Sequence, residues 1–209
     1  NRIGKAWELE ASYLYSPSHH LAGDFFYLIP IPDNKLGILI CDVMGHGIKA
    51  ALVTMLIRGL MLEAPVLLTD PGKVLKHLND KLVVLAEDPE FPRFVTALYT
   101  VIDLNSGNVI LANAGHPAPI WRVEDQSGTH FELCPTENMG PALGLIPEDT
   151  FTNNDFTLTQ KTELLFFTDG IIEQKTKNGE EWGVENLEET VLDHESDELP
   201  EQLKAISQE

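Results

Sequence analysis

Residues 38–47 carry the sequence Ile38-Leu39-Ile40-Cys41-Asp42-Val43-Met44-Gly45-His46-Gly47. The apolar run predicts a buried strand that ends on the carboxylate of Asp42, and a glycine-rich turn and a long apolar helix follow it. A charge at the end of a buried strand is costly unless a cation or several hydrogen-bond donors meet it. No Lys or Arg lies within six residues of Asp42, so a metal ion is one candidate partner. The stretch leaves open the alternative that Asp42 only caps the following helix.

The composition indicates an acidic, soluble and globular chain. Its 209 residues are 43% hydrophobic, which is enough for a sizeable core, and we predict a single domain over residues 1–209. The formal net charge of -19 argues against nucleic acid or an anionic membrane surface as a partner, because both need basic clusters. An excess of acids instead suits cation binding.

The thiols and the hydropathy pattern indicate where the protein works. Cys41 and Cys134 lack paired spacing, so both are expected to be reduced, which fits a cytoplasmic location. No apolar stretch approaches the ~18 residues that span a bilayer, and there is no signal peptide. The chain starts at Asn1 rather than Met, so we expect a piece of a longer protein with a sensor or receiver region before it.

A predicted hairpin brings a second acid close to Asp42. Strands are predicted at 24–31 and 36–42, and the turn Pro32-Asp33-Asn34-Lys35 between them makes the two strands antiparallel neighbours. With the turn centred near residues 33–34, Asp24 and Asp42 are each eight or nine residues from it, so both lie at the open end of the hairpin. Neighbouring carboxylates repel each other, which favours a shared cation over two separate structural roles.

The rest of the pattern predicts an α+β fold. Apolar positions at helical spacing indicate two packed helices, the second of which is capped by Asp70. The predicted elements are a strand at 7–15, helices at 46–64 and 71–86, a meander of strands at 94–103, 108–114 and 118–123, a surface excursion at 124–150 with a short strand near 130–133, a hairpin of strands at 155–159 and 163–168, and helices at 183–192 and 198–207. Strands on both sides of a central helix pair favour an antiparallel sandwich over a parallel doubly wound sheet.

Asp169 is a third acid associated with a strand, because it follows the apolar run at 163–168 and precedes Gly170. Hard divalent ions such as Mg²⁺ and Mn²⁺ prefer carboxylate, carbonyl and water ligands. Two such ions about 3.5–4 Å apart can clamp a phosphoryl group for in-line attack. Asp24, Asp42 and Asp169 together therefore point to phosphoester hydrolysis, while capping or turn formation remains the alternative for each acid alone.

Other chemistries have less support. His46 and His116 lie in tight breaks where a ring bonds the backbone as easily as it transfers a proton, so we favour structural roles for both. The adjacent pair His19-His20 points to opposite sides of an extended segment and is interpreted as solvated surface. Neither a phosphate-cradling Gly-Lys-Ser/Thr sequence nor a Gly-x-Ser-x-Gly elbow is present. Cys41 lacks a basic neighbour that would activate it as a nucleophile.

Four stretches together resemble the metal-dependent protein phosphatases of the PPM superfamily, in the bacterial branch typified by the stage II sporulation phosphatase and the stress-response regulators of sigma factors. The stretches are Ala22-Gly23-Asp24-Phe25-Phe26, Cys41-Asp42-Val43-Met44-Gly45-His46-Gly47 with Ala50-Ala51 following, Asn113-Ala114-Gly115-His116-Pro117, and Thr168-Asp169-Gly170-Ile171-Ile172-Glu173. Gly140-Pro141-Ala142-Leu143-Gly144 is similar to a further element of this family. Their order and spacing extend over residues 7 to about 185.

The resemblance implies an α-β-β-α sandwich of two largely antiparallel sheets flanked by helices, with metals at one edge of the sheets. It also implies that Asp42 bridges two Mn²⁺ or Mg²⁺ ions beside the Val43 carbonyl, that Asp24 acts through one metal or its water, and that Asp169 binds the other. The implied substrate is phosphoserine or phosphothreonine on a STAS-like anti-sigma-factor antagonist. The two long helices match the region through which attached sensor or receiver domains regulate such enzymes, and a homodimer is a further expectation.

Two positions depart from the family's pattern. Tyr27 stands three residues after Asp24, where the family often has a second aspartate. The family's final metal acid usually lies in an Asp-Asp pair near the C-terminus, and this chain has no such pair. Asp193 and Asp197 lie in an acidic, polar stretch and are poor substitutes, so we expect the last strands and their ligand to lie beyond Glu209.

We therefore predict a metal-dependent protein serine/threonine phosphatase of a sigma-factor partner-switching pathway. One alternative is a phosphatase-like module that binds a signalling partner through its apolar helices while its incomplete metal site supports little catalysis. A third class is a metal-dependent hydrolase of small phosphoesters, which would use the same acids.

Overall fold

The computed structural model describes residues 9–16, 22–88, 90–125, 128–136, 138–158, 162–176, 178–195 and 197–207. In chain order the elements are β1 (Phe25–Ile31), β2 (Lys35–Val43), α1 (Ile48–Glu63), α2 (Pro71–Leu85), β3 (Val95–Asp103), β4 (Asn108–Ala114), β5 (Ile120–Asp125), β6 (Gly128–Leu133), β7 (Asn154–Thr157), β8 (Leu164–Leu165), α3 (Asp169–Ile172), α4 (Gly183–Asp193) and α5 (Leu199–Ile206). The chain divides into two compact units. The first comprises Asn1–Glu8, Pro17–Ala118 and Pro135–Thr159, and the second comprises Leu9–Ser16, Pro119–Cys134 and Gln160–Glu209.

The first unit is built on a five-stranded sheet. The strand order is β1-β2-β3-β4-β7, and every neighbouring pair is antiparallel. The predicted hairpin is confirmed, with Ile31 paired to Lys35 across a tight loop. Asp33 and Asn34 in this loop have φ values of 63° and 59°, which short polar side chains tolerate better than other L-residues do. The turn therefore sets the register that places Asp24 and Asp42.

Helices α1 and α2 pack against this sheet, and both were predicted. Asp70 caps α2 as expected, because its side chain accepts a hydrogen bond of 3.3 Å from the Lys73 backbone N–H. The buried residues of both helices join those of the central strands in one apolar core, which includes Val53, Ile57, Val74, Leu75, Leu78, Leu39 and Tyr99. This core supports β2 from one face along its length, because alternate residues of a strand point to the same face.

The second unit has a three-stranded sheet with the order β6-β5-β8, and its pairs are antiparallel. Its core contains side chains of the sheet and of the C-terminal helices, among them Ile120, Phe131, Phe167, Leu187, Val191 and Ile206. Both predicted closing helices are present as α4 and α5. Packing against this core stabilises the short helix α5, whose Ile206 is buried.

Three sequence-based expectations about strands are wrong. The strand predicted at 118–123 leaves the meander and pairs in the second sheet, because Gly115, with φ of 71°, and Pro117 turn the chain after β4. Residues 155–159 and 163–168 do not form a hairpin, since β7 pairs with β4 and β8 pairs with β5. In the strand predicted at 7–15, the described residues 9–15 are exposed and do not form a strand.

The predicted fold class is confirmed. Both sheets are antiparallel, and helices pack with the strands of each unit. None of the helices in the described ranges has the length and apolarity needed to cross a membrane.

Candidate metal centre

The open end of the first hairpin carries two acids side by side. Phe25 pairs with Cys41, and the Val43 backbone N–H donates a 3.4 Å hydrogen bond to the Gly23 carbonyl, so the register continues through Asp24 and Asp42. Directly opposite residues of an antiparallel pair have Cβ atoms about 4.5–5.5 Å apart. Both carboxyl side chains are half-buried. The structure thus brings together the two acids for which the sequence predicted a shared end of the hairpin.

Backbone carbonyl groups crowd the same end of the hairpin. A Cβ atom added at Gly23 would lie 2.5 Å from the carbonyl oxygen of Val43 and 3.3 Å from that of Gly45. Only glycine therefore fits at position 23, immediately before Asp24. The backbone oxygen of Val43, predicted as a ligand, lies at this close approach. The local donor set consists of carboxylate and carbonyl oxygens.

The capping alternative for Asp42 is wrong. Helix α1 begins at Ile48, and its cap residue is Gly47, whereas Asp42 lies inside β2 and pairs with Thr96. Gly45 and Gly47 have φ values of 92° and 82°. Such left-handed values favour glycine, which explains why this turn is rich in it. The turn carries the chain out of β2 and into α1, and Asp42 remains near the C-terminal end of β2.

Asp169 lies in the second unit, and its local setting differs from the prediction. Strand β8 ends at Leu165, so Asp169 does not end a strand directly. It is instead the first residue of the short helix α3, whose cap residue is Thr168. An acid in the first turn of a helix interacts favourably with the helix dipole, so a structural role for Asp169 keeps its support.

The chemistry of the residues at the hairpin end fits a hard divalent ion. Within the described ranges, no group of three or more His, Cys, Asp or Glu side chains is arranged to hold a metal. Mg²⁺ usually keeps several waters and takes only one or two protein carboxylates. The paired acids Asp24 and Asp42, with the neighbouring Val43 carbonyl, satisfy that requirement.

Tyr27, at the position where an additional acid was considered, has a packing role. The Arg58 guanidinium of α1 lies over its ring, 4.7 Å from the centroid. A cation stacked on an aromatic face stabilises the contact between helix and strand. Tyr27 therefore helps to fix α1 against the hairpin that carries Asp24.

His116 holds a buried turn. Its Nδ1 lies 2.9 Å from Thr96 Oγ1, its backbone N–H donates to Asn113 Oδ1 at 2.9 Å, and its carbonyl accepts from Asn113 Nδ2 at 2.8 Å. These contacts agree with the structural role favoured for His116. The sequence reasoning missed the part played by Asn113, although an Asn shortly before a Gly-His-Pro turn is a recognisable signal for such bonding. His46 is exposed in the turn before α1. His19-His20 lies outside the described residues.

The two cysteines are unsuited to nucleophilic chemistry. Burial raises the pKa of Cys41 well above its usual range, and the adjacent charge of Asp42 raises it further. Burial also raises the pKa of Cys134 to about 12. Both thiols therefore stay protonated near neutral pH. Because the thiolate is the reactive form, this agrees with the low support that the sequence lent to Cys41 as a nucleophile.

Solved structures with a similar fold include a PP2C domain. The SiaA-PP2C domain of Pseudomonas aeruginosa matches with a TM-score of 0.77 and 21% identity, over 93% of this chain and 75% of that chain. The RsbU and RsbW domains of a Mycobacterium tuberculosis protein match with a TM-score of 0.67 and 23% identity, over 85% of this chain and 47% of that chain. At these identities the likeness shows the fold. By its fold, the chain is thus in the class of PP2C-type α+β domains.

Within that class, the chain belongs to the SpoIIE family, because the model for stage II sporulation protein E matches residues 32–209. The phosphoserine phosphatase RsbP of Bacillus subtilis is 34% identical over 167 residues, which are 79% of this chain and 40% of that protein. The phosphoserine phosphatase RsbU of the same organism is 28% identical over 171 residues, which are 82% of this chain and 49% of that protein. The chain therefore spans less than half the length of these two relatives.

Proposed function

We propose that the chain is a phosphatase domain that removes phosphate from phosphoserine or phosphothreonine of a protein, with Mn²⁺ or Mg²⁺ as cofactor. The observation that carries the proposal is the register of the hairpin, which sets Asp24 opposite Asp42 at its open end, beside the Val43 carbonyl. Membership of the SpoIIE family and similarity to two phosphoserine phosphatases support the reaction class.

Each residue of the proposed site has a separate task. Asp42 and the Val43 carbonyl would hold the ions, Asp24 would act through one ion or its water, and Asp169 would bind the second ion. When bound, the ions would supply positive charge that polarises a phosphoryl group and lowers the pKa of a water molecule. The buried β2 fixes the backbone beneath Asp42, since Cys41 and Val43 on either side have no exposed surface. A rigid support of this kind holds donors in place for electrostatic stabilisation.

The proposal extends to the pathway. RsbP and RsbU are named phosphoserine phosphatases, and another matching structure contains RsbU and RsbW domains. We propose a phosphorylated, STAS-like anti-sigma-factor antagonist as the substrate, and an attached sensor or receiver domain as the regulator. We also propose that these residues belong to one functional domain. A further metal ligand would come from sequence outside residues 1–209.

Phosphate release should depend strictly on a divalent ion. The chain purified with a chelator should release no phosphate from a phosphoserine protein, and added Mn²⁺ or Mg²⁺ should restore release, because the two acids alone cannot neutralise a phosphoryl group. Phosphate release is measured with p-nitrophenyl phosphate in parallel. Release that is unchanged by the chelator would overturn the proposal. Hydrolysis of the aryl phosphate without hydrolysis of any phosphoprotein would favour a metal-dependent hydrolase of small phosphoesters.

A second candidate function, partner binding, is favoured by the outer face of α1. Ile48, Leu52, Met55 and Leu62 are 68%, 64%, 64% and 66% exposed. With Gly59 they follow a spacing of four and three residues in alternation along α1, which is the spacing of a coiled-coil seam. A continuous exposed apolar stripe marks an interaction surface. The stripe fits a regulatory partner helix and is compatible with catalysis at the hairpin.

A charge placed in this stripe should abolish partner binding without unfolding the chain. The variant L52E should melt within about 2 °C of wild type, because Leu52 is mostly exposed and surface substitutions change stability by about 0.5 kcal/mol or less. Binding of the chain to its attached regulatory region, supplied as a separate protein, is measured by calorimetry. L145E, at another exposed leucine of the first unit, is the matched control. Equal binding by L52E and L145E would remove the stripe from the proposal.

A further inference from the structure

A cavity of about 260 Å³ lies in the first unit, beside the turn that follows Asp42. Residues of this turn, of the first turn of α1 and of the segment before β3 line it. The lining residues that matter here are Met44, Lys49, Glu90, Phe91, Pro92 and Arg93. Its wall is therefore mixed, with apolar surface beside two cations and one acid.

Arg93 is the free cation of this cavity. Lys49 forms an ion pair with Glu90. Arg93 is exposed, and among the residues that the structure describes no acid lies within ion-pair distance of it. A guanidinium stays charged at any physiological pH and binds a carboxylate through two parallel hydrogen bonds. In a chain with a net charge of -19, this arginine is a local site for an acidic ligand.

The register of the sheet sets the position of Arg93 relative to the acids. Asp42 pairs with Thr96 and Val43 pairs with Val95, so Arg93 lies on the segment that leads into β3, three residues before the partner of Asp42. Three residues span at most about 10–11 Å, so the Cα atom of Arg93 lies within that distance of the Cα atom of Thr96. An extended peptide whose phosphorylated residue lies at Asp24 and Asp42 reaches Arg93 with a residue two or three positions away.

We propose that this cavity is a substrate subsite in which Arg93 binds an acidic side chain two or three residues from the phosphorylated serine or threonine. Met44, Phe91 and Pro92 form the apolar wall against which the intervening part of the peptide packs. The inference rests on the proposed function, because that function places the phosphorylated residue at the hairpin end. The net negative charge of this chain repels an acidic peptide in general. The local positive charge of Arg93 therefore favours a peptide whose acidic side chain is at the position that reaches Arg93.

The test compares two fluorescent peptides that carry a phosphonate analogue of phosphoserine, which is not hydrolysed. One peptide has Glu at the second and third positions on both sides of the phosphonate residue, and the other has Gln at the same positions. Anisotropy with Mn²⁺ present should show that wild type binds the Glu peptide about five- to tenfold more tightly, as expected for a partly solvated charged pair. R93A should remove this preference. K81A, which removes an exposed cation of α2 that has no ion pair among the described residues, should retain it.

Hydrolysis of p-nitrophenyl phosphate separates this inference from the proposed function, because that substrate has no flanking residues. Rates of R93A on it should equal those of wild type. If wild type fails to hydrolyse it, the proposed function fails, while the peptide preference still decides the subsite. A wild type without preference for the Glu peptide, including one that binds neither peptide, overturns the subsite. A preference for the Glu peptide that survives R93A also overturns the subsite. The same holds if R93A lowers the rate of aryl phosphate hydrolysis as much as it lowers peptide binding, because Arg93 would then contact the phosphate itself.

Discussion

The variant D42N should lose phosphate release by about 10³-fold, while it folds as well as wild type. Asn keeps the shape of the side chain and removes the charge that would hold a divalent ion, and losing one electrostatic contributor of this kind costs about 10²–10³ in rate. In metal-free buffer the melting temperature should stay within about 2 °C of wild type. Two carboxylates that face each other across a hairpin repel, so removing the charge of Asp42 opposite Asp24 does not destabilise the fold.

Metal binding gives D42N a readout apart from activity. Mn²⁺ at 100 times its dissociation constant stabilises a folded protein by about 2.7 kcal/mol, which raises the melting temperature of a chain this size by roughly 5–10 °C. Wild type should show this rise and D42N should not. D155N makes the same chemical change at an exposed position on β7 and should behave as wild type in both measurements. Mn²⁺-dependent release by D42N at the rate of D155N would rule out Asp42 as a metal ligand.

The variant N113A should destabilise the first unit more than any surface substitution. Asn113 is only 1% exposed and bonds both the backbone N–H and the carbonyl of His116. Truncation leaves these two backbone groups buried and unpaired, at about 1–3 kcal/mol each. We expect a loss of roughly 2–5 kcal/mol and a fall in melting temperature of roughly 5–15 °C.

Thermal and urea unfolding measure this loss, and N154A provides the control. Asn154 makes one long bond of 3.4 Å to the Thr152 carbonyl near the surface, so its truncation should cost about 0.5 kcal/mol or less. Since β4 pairs with both β3 and β7, the loss at Asn113 should be seen as unfolding of the sheet as a whole. If N113A and N154A unfold alike, the buried turn at His116 is not the stabilising feature described above.

Local pattern was enough to predict most of the fold. Alternation and turn residues predicted β1, β2 and their hairpin, and helical spacing with the cap at Asp70 predicted α1 and α2 within about two residues at each end. These elements are determined by neighbours in the chain. The pairing of Asp24 with Asp42 was predictable for the same reason, because a short turn fixes the register of a hairpin.

Strand partners distant in sequence were not predictable in this way. β7 and β8 follow each other in the chain, yet they join different sheets, and periodicity carries no information about such a choice. Asp169 was assigned to a strand end because its preceding residues are apolar, whereas tertiary packing places Phe167 in the core of the second unit and leaves only two residues in β8. Burial decided that outcome against local propensity.

By itself the sequence determined the acidic hairpin end and its oxygen-rich chemistry, since both depend on residues close together along the chain. It also determined the family pattern that identifies the chain, because that pattern consists of short stretches that are each recognisable locally. The tertiary structure decided that Asp42 lies within β2 rather than capping α1, and that the Gly23 backbone closely approaches the Val43 carbonyl. It also placed Arg93 in the lining of a cavity beside the turn that follows Asp42. These features depend on strand register and on contacts between residues up to about seventy positions apart, which only the folded chain brings together.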